Sequence, residues 1–554
     1  MKQLSFHTAA LLLSGLAYRL CSAQNCPIAG PAYPAVTKIA ASPALKAIKT
    51  ALDSVVEQAF VSGQLDRSET VYRIGSVSKI LAVYAILSKL SHKHWQDSIT
   101  DYIPELANAP PPRSAVDSVE WSKVTLGALA SHMAGIGQGY AIGELLPAGL
   151  PGLPVLNESS LPQCGIATSR PCTRAEALEL ILQKPPVTST YHTPIYSNMA
   201  FQLLAYAVES ITGEAFATLV DQHILKPLSL TRTFLSTPPL DDSNVVIADG
   251  FARDMGDEAP AGGYFQSIAD LSALGKSILG STLLPADATR QWLRPVTHSA
   301  NVYHSIGRPW EIDRQRVPIS PPSSSSSSSA TRVVDLYTKG GGIGQYASLL
   351  ALSPDHDMGI SILASSAAGP SSSPPQYGIL ASQLTATWLR IAEQASREQA
   401  ASNFVGTYST TTLAAEEEEP LESLAEFSLL PNEPGLFLSR LVSNGTDMLG
   451  LLGPLLLGGS SSSSPDFRLG AWLYPTGLVK DNNRIAFRAV FGAVGGVPGS
   501  EEACTSATGT VDALRYGPYS LDLFIFHLAD DGGTAAAAPA VEIPGLQRVL
   551  RRER

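Results

Sequence analysis

The sequence predicts an α+β fold: an antiparallel sheet flanked by helices, with a second, smaller β-rich domain at the C-terminus. Three observations predict it. Apolar stripes of helical period lie near both ends of residues 40–399. Between them a strand–turn–strand pattern, Tyr346–Leu352 and Met358–Ala364, surrounds Ser353-Pro354-Asp355-His356-Asp357. After about Gln399 the helical period gives way to short strand-like runs. A chain of 554 residues suits two or three domains at roughly 100–200 residues each. We divide it into a leader (1–23), the α+β domain (24–399) and the β-rich domain (400–554).

The leader has the layout of a secretory signal peptide. Met1-Lys2-Gln3 is weakly positive, Leu4–Tyr18 is mostly apolar, and Cys21-Ser22-Ala23 offers small residues for cleavage after Ala23. The run is broken by Arg19 and is too short to cross a bilayer. The expected location is therefore secreted and extracellular. Ser42-Pro43 reads as a cap and first turn, followed by Leu45, Ile48, Leu52, Val55 and Ala59 on one helical face. Val71–Ile74 is a short strand leading through Gly75-Ser76 into a helix striped by Ile80, Val83, Leu87 and Leu90. A third helix runs from Thr125 through Ser131, and Pro- and Gly-rich loops cover residues 135–154. The helix Ser197–Thr212 ends at Gly213, a fitting stop residue. Lys339-Gly340-Gly341 opens the late hairpin, and a long helix, Ile379–Glu398, follows with Leu380, Leu384, Trp388, Ile391 and Ala395 on one side.

Beyond it, Phe404–Tyr408, Phe427–Leu430, Ile485–Phe491 and Ser520–His527 read as strands, with no strong helix. Leu449–Leu457 is apolar but short and interrupted by Gly453 and Pro454, so no stable membrane insertion is expected. Ser323–Ser329, Glu416–Glu419 and Ser460–Ser464 read as mobile loop insertions.

A net charge of −11 (38 basic against 49 acidic residues) gives no footprint for nucleic acid. Hydrophobic residues at 44% supply a core and exclude wholesale disorder. If Cys21 leaves with the leader, Cys26, Cys164, Cys172 and Cys504 remain of the five cysteines, and four allow three pairings. Nearness in sequence favours Cys164 with Cys172, which leaves Cys26 for Cys504; unpaired, half-buried thiols are the alternative. Asn157 and Asn444 begin glycan-acceptor triplets. There is no His-Glu-x-x-His, no Gly-x-Ser-x-Gly and no metal-ligand spacing of Cys and His, so neither metal nor cofactor is expected. Gly275-Lys276-Ser277 mimics the end of a phosphate loop, but Asp270 stands where the first glycine belongs.

What remains is Ser76-Val77-Ser78-Lys79. Serine at a helix start and lysine three residues on share one face, a turn apart. The helix N-terminus turns amide groups and positive potential toward the hydroxyl. That is a nucleophile beside a base, as covalent acyl transfer requires. A capping serine with a surface lysine would look the same, and two further elements decide between them. Tyr196-Ser197-Asn198 heads the Ser197 helix, and Lys339-Gly340-Gly341 follows in the expected order. Together with Tyr72–Lys79 (YRIGSVSK), Thr125–Gly135 (TLGALASHMAG), Pro260–Leu274 and Lys339–Leu350 (KGGGIGQYASLL), the chain resembles the serine β-lactamase/penicillin-binding-protein superfamily. Within it the likeness is to the class C β-lactamase and D-alanyl-D-alanine carboxypeptidase/esterase branch, over about residues 40–395. Some secreted fungal relatives are similar in carrying a β-rich extension.

The resemblance implies a β-lactamase/transpeptidase-like fold and a role for each residue. Ser76 would form the acyl-enzyme, and Lys79 and Tyr196 would share general-base duty. Asn198 would orient Lys79 and the substrate. Lys339 would hold the tyrosine electrostatically or meet a substrate carboxylate, with Gly341 in the same substrate-binding motif. The amides of Ser76 and Gly342 would form the oxyanion hole. His132 reads as structural. On electrostatics alone, two nearby ammoniums could bring a phenol from about 10 to about 7, which needs roughly 4 kcal/mol. Gly340 stands where many lactamases have threonine, which weakens the case for antibiotic hydrolysis. The expected function is a secreted serine hydrolase acting on a small-molecule ester, amide or lactam. An acyltransferase of secondary metabolism and a non-catalytic binding protein on the same fold are the alternatives.

Overall fold

The computed structural model describes residues 28–36, 68–110, 114–140, 170–239, 244–320, 330–365, 375–412, 421–456, 468–481, 483–494, 511–528 and 537–553, with positions 43, 46, 152 and 163–165. The leader, the helical face from Leu45 to Ala59, the three low-complexity runs, Cys26, Cys504 and Asn157 lie outside the described residues.

The first domain is built on a six-stranded antiparallel sheet in simple sequence order. Its strands are β1 (Thr297–His298), β2 (His304–Ile306), β3 (Glu311–Pro318), β4 (Thr331–Ile343), β5 (Tyr346–Ser353) and β6 (Met358–Ser365). Helix α1 (Ser78–Leu90) is buried from Ser78 through Leu87, so it is a core helix rather than an amphipathic surface one. Helix α2 (Leu126–Ala130) starts at Thr125, whose side chain accepts from the Ala128 amide. Helix α3 (Met199–Thr212) ends at Gly213 with φ 69°, the left-handed stop its sequence predicts. Helix α4 (Ile268–Leu279) is capped by Ser267 and packs through Gly275 against Leu350 and Leu352 of β5.

The lysine–glycine segment does not open the hairpin: it lies in the second half of the 13-residue strand β4. The strand was hidden because Arg332 takes an inward position that an alternating pattern reserves for an apolar side chain. Arg332 is buried there against Glu393, at 2.8 and 2.6 Å, and Asp355, at 2.9 Å. Glu393 belongs to α5 (Pro375–Phe404), a 30-residue helix longer than expected at both ends. Helix α5 packs on both units. Leu389 meets Val317 and Val334 of the sheet, while Ala400 and Phe404 enter the core of the C-terminal domain.

That domain is a barrel. Its strands are β7 (Gly406–Thr412), β8 (Leu421–Ser428), β9 (Leu436–Ser443), β10 (Arg468–Lys480), β11 (Arg484–Val494), β12 (Leu523–His527), β13 (Ala540–Ile543) and β14 (Arg548–Arg552). The order is β8-β7-β14-β13-β12-β11-β10-β9, and β9 pairs back onto β8, so the circle closes and no long edge is left. Phe404, Phe427, Phe487 and Phe526 fill it with edge-on rings 5.1–5.4 Å apart. One element contradicts the sequence expectation: Met448–Leu456 is a helix, α6. Leu449, Leu452 and Leu456 point into the barrel core, and that burial outweighs the poor propensity of Gly453 and Pro454. No single helix among the described residues is long and apolar enough to cross a membrane.

Candidate active site

Ser76 sits on a 3-10 turn, Gly75–Val77, between the short strand Val71–Arg73 and α1. The turn is braced from three sides. Ser78 Oγ donates to the Gly75 carbonyl at 2.7 Å and accepts from the Tyr264 amide at 3.2 Å. Ser348 Oγ, from β5, donates to the Ile74 carbonyl at 2.6 Å. The N-caps of this turn and of α1 are Ile74 and Val77, so Ser76 is the capping residue of neither.

The partners of the Ser76 hydroxyl are Lys79 and Tyr196. Lys79 Nζ lies 3.0 Å from Ser76 Oγ, 2.7 Å from Asn198 Oδ1 and 2.6 Å from the Ala261 carbonyl. Asn198 Oδ1 and the Ala261 carbonyl can only accept. A neutral amine has two N–H bonds for them and a lone pair for the serine proton. The side chain is 0% exposed. Burial, followed by the charge of Lys339, pushes its pKa well below the ordinary lysine range, and Glu311 opposes this only in part. Tyr196 OH donates to Ser76 Oγ at 2.6 Å.

Tyr196 and Asn198 are brought in by the turn that starts α3. Ser197 Oγ accepts from the Ala200 amide at 3.1 Å, and its N–H donates to His132 Nδ1 at 3.2 Å. His132 also stacks on the Tyr196 ring, 4.5 Å between centroids. Burial, then the charges of Lys79 and Lys339, hold its pKa well below the usual histidine range. A neutral His132 that positions Tyr196 agrees with the structural role expected of it.

The third wall is the outer edge of β4. Strand β3 ends its pairing at Glu311 opposite Thr338, so, among the described residues, 339–343 have a strand neighbour only in β5. Here the backbones of turn and strand touch. A Cβ on Gly341 would lie 2.1 Å from the Ile74 carbonyl, 2.5 Å from Ser348 Oγ and 2.9 Å from the Ser76 nitrogen. A Cβ on Gly75 would lie 2.6 Å from the Gly342 nitrogen. The backbone nitrogens of Ser76 and Gly342 therefore both border this contact. Gly340 differs: a Cβ there would meet only Glu311 Oε2, at 3.9 Å. Gly341→Ala should cost at least about 100-fold in turnover, because a backbone shift of an ångström here misplaces Ser76. Gly340→Ala should fold normally and change stability by less than about 1 kcal/mol. Thermal unfolding and ester turnover of the two variants, side by side, check both.

Glu311 is the site residue that sequence reasoning missed. Its Oε1 accepts from Lys339 Nζ at 2.7 Å and its Oε2 from the Gly340 amide at 3.3 Å. Lys339 also donates to the Gly340 carbonyl at 2.8 Å and sits 5.2 Å above the Tyr196 ring. The two lysines beside Tyr196 differ in their surroundings. One is matched by a carboxylate, and the other is driven toward neutrality by burial. Nothing in a single sequence links positions 311 and 339, since only strand register brings them together.

The other expected site residues divide. Cys164 and Cys172 form a disulfide, Cα–Cα 4.8 Å. Asn444 is exposed, and its Oδ1 accepts from Arg548 at 3.0 Å. The site opens into a pocket of about 520 Å³ lined by Ser76, Tyr196, Glu311, Lys339 and the Gly340–Gly342 edge.

Known family profiles match both domains of the chain. The profile of the Beta-lactamase family matches residues 53–384. The chain belongs to the beta-lactamase family. A second profile, "Beta-lactamase-like-like, C-terminal domain", matches residues 396–554. A beta-lactamase-like protein of Arthroderma benhamiae is 30% identical over 510 residues, covering 86% of this chain and 80% of that protein. A probable hydrolase of Phoma sp. is 27% identical over 69% of this chain; the match spans 61% of that relative's length. The solved structure of an octameric penicillin-binding protein homologue from Pyrococcus abyssi is 16% identical, with a TM-score of 0.41, covering 89% of this chain and 90% of its own. The relatives of this beta-lactamase family member include a beta-lactamase-like protein and a probable hydrolase.

Proposed function

We propose that this protein is a secreted serine hydrolase that forms an acyl-enzyme at Ser76 on an ester, amide or lactam bond of a small molecule. One observation carries the reading: Ser76 Oγ is bonded at once by Tyr196, at 2.6 Å, and by a buried Lys79, at 3.0 Å. The neutral Lys79 amine takes the hydroxyl proton as Oγ attacks the acyl carbonyl. Such a base is worth about 10²–10⁴ in rate. The amides of Ser76 and Gly342 face the developing oxyanion, each donor contributing about 10²–10³. Tyr196, which also bonds Oγ, hands a proton to the leaving atom. Water then enters by the same route in reverse and frees the acid. Asn198 keeps the Lys79 amine aimed at Oγ. Residues 24–399 are taken as the hydrolase domain and 400–554 as the barrel domain. Export is supported by the leader pattern and by the Cys164–Cys172 disulfide, a bond that oxidising compartments favour.

Labelling with a fluorophosphonate, followed by peptide mapping, tests the nucleophile. The adduct is expected on Ser76 and is expected to vanish in Ser76→Ala together with p-nitrophenyl ester turnover. Undiminished turnover in Ser76→Ala would sink the reading.

A further inference from the structure

We infer that Glu311 sets the substrate class of this site: it occupies the ammonium of Lys339 and so excludes substrates that carry a carboxylate beside the scissile bond, leaving uncharged and cationic ones. The inference rests on the acyl-enzyme reading above.

The Lys339 side chain is 2% exposed, and that of Glu311 32%. A ligand entering along the β4 edge therefore meets the carboxylate, not the ammonium. Two of the three N–H bonds of the ammonium are already committed. One N–H goes to Glu311, one to the Gly340 carbonyl, and its remaining face is turned to the Tyr196 ring. Nor is Glu311 free to swing aside, because its second oxygen holds the Gly340 amide. Displacing it would leave a buried lysine uncompensated. Gly340 contributes no hydroxyl to which a carboxylate could turn instead.

The rest of the pocket points the same way. Its lining holds two carboxylates, Glu311 and Asp313, against one ammonium, Lys339. Asp313 shares a hydrogen bond with His304 at 2.9 Å and is itself part exposed. The cavity continues along β3 to the small and polar residues Ala381, Ser382 and Thr385 of α5. A neutral or amine-bearing leaving group fits that channel. An anion would enter it against a net negative wall.

Three matched esters of phenylacetic acid test this, with 3-hydroxybenzamide, 3-(aminomethyl)phenol and 3-hydroxybenzoate as leaving groups. The wild-type enzyme is expected to show a kcat/KM for the first two at least roughly tenfold above that for the third, the screened effect of one like charge at contact. In Glu311→Gln, which keeps the shape and one acceptor oxygen, the benzamide-to-benzoate ratio is expected to fall to within about threefold of unity. An unchanged ratio in Glu311→Gln, or a wild type indifferent to the carboxylate, overturns the inference. A second measurement needs no turnover. By calorimetry, 3-hydroxybenzoate is expected to bind Ser76→Ala/Glu311→Gln at least roughly tenfold more tightly than Ser76→Ala, while 3-hydroxybenzamide does not discriminate. Equal benzoate binding by the two proteins overturns the inference even if no ester is hydrolysed. Turnover that survives Ser76→Ala overturns the acyl-enzyme reading instead, and the binding comparison still decides the role of Glu311.

Discussion

Replacing Lys79 with arginine is expected to lower kcat for ester hydrolysis by roughly 10³-fold or more, and Lys79→Ala by a similar factor. The reason is the protonation state of the base. A guanidinium stays charged at every working pH and has no lone pair for the serine proton. The lysine amine does, because burial and the neighbouring Lys339 hold its pKa well below the ordinary range. Activity should accordingly rise with pH through an acid limb set by Lys79, and that limb should sit well below where a solvated lysine titrates. Glu311 raises the Lys79 pKa. Glu311→Gln should therefore move the limb to lower pH. Profiles of kcat/KM against pH for wild type, Lys79→Ala and Glu311→Gln read all three points. An acid limb that persists unmoved in Lys79→Ala would mean that another group carries the proton.

Glu393→Ala should destabilise the hydrolase domain by about 3–5 kcal/mol, the cost of stranding a buried charge. Arg332 and Glu393 are 4% and 1% exposed at the side chain and bond each other at 2.6 Å. His356 bridges them to Ser353: Ser353 Oγ lies 2.7 Å from His356 Nδ1, and Glu393 Oε2 lies 2.8 Å from His356 Nε2. The string Ser353–His356–Glu393 has the connectivity of a catalytic triad, but Ser353 and Glu393 are 0% exposed and His356 1%. No substrate reaches it, so Ser353→Ala should leave ester turnover intact. Its work is mechanical: it ties α5 to the sheet. Burial raises the Glu393 pKa, but Arg332 and His356 more than offset this and hold it at about 2, against 4.5 for a free glutamate. A depressed carboxylate stabilises above its unfolded pKa. The contribution should thus be complete above about pH 4.5 and lost as pH falls toward 2, a change of about 3 kcal/mol. Urea unfolding of wild type and Glu393→Ala at pH 7 and pH 3 would show a gap that narrows on acidification. A gap independent of pH would refute the assignment.

Much of the site was legible because its relations are local. Ser76 and Lys79 are one helical turn apart. Gly213 stops α3 where a left-handed residue was needed. Tyr196 and Asn198 head a helix that a hydroxyl, Ser197, begins. Each is a relation among residues within a few positions, governed by the geometry of one turn. The hairpin of β5 and β6 was legible for the same reason. Helix α6 was not, since Gly453 and Pro454 argue against it locally and only the barrel core repays it. The true start of β4 was not either, because Arg332 breaks the alternation and is tolerated there by a carboxylate sixty-one positions away.

The sequence by itself determined the α+β class, the β-rich second domain and the candidate site residues Ser76, Lys79, Tyr196 and Asn198, which the structure brings together. The tertiary structure alone decided which charges survive. Cross-strand register set Glu311 against Lys339, and the packing of α1 inside the core stripped water from Lys79. Register and desolvation belong to the assembled fold, and no short stretch of chain encodes either one.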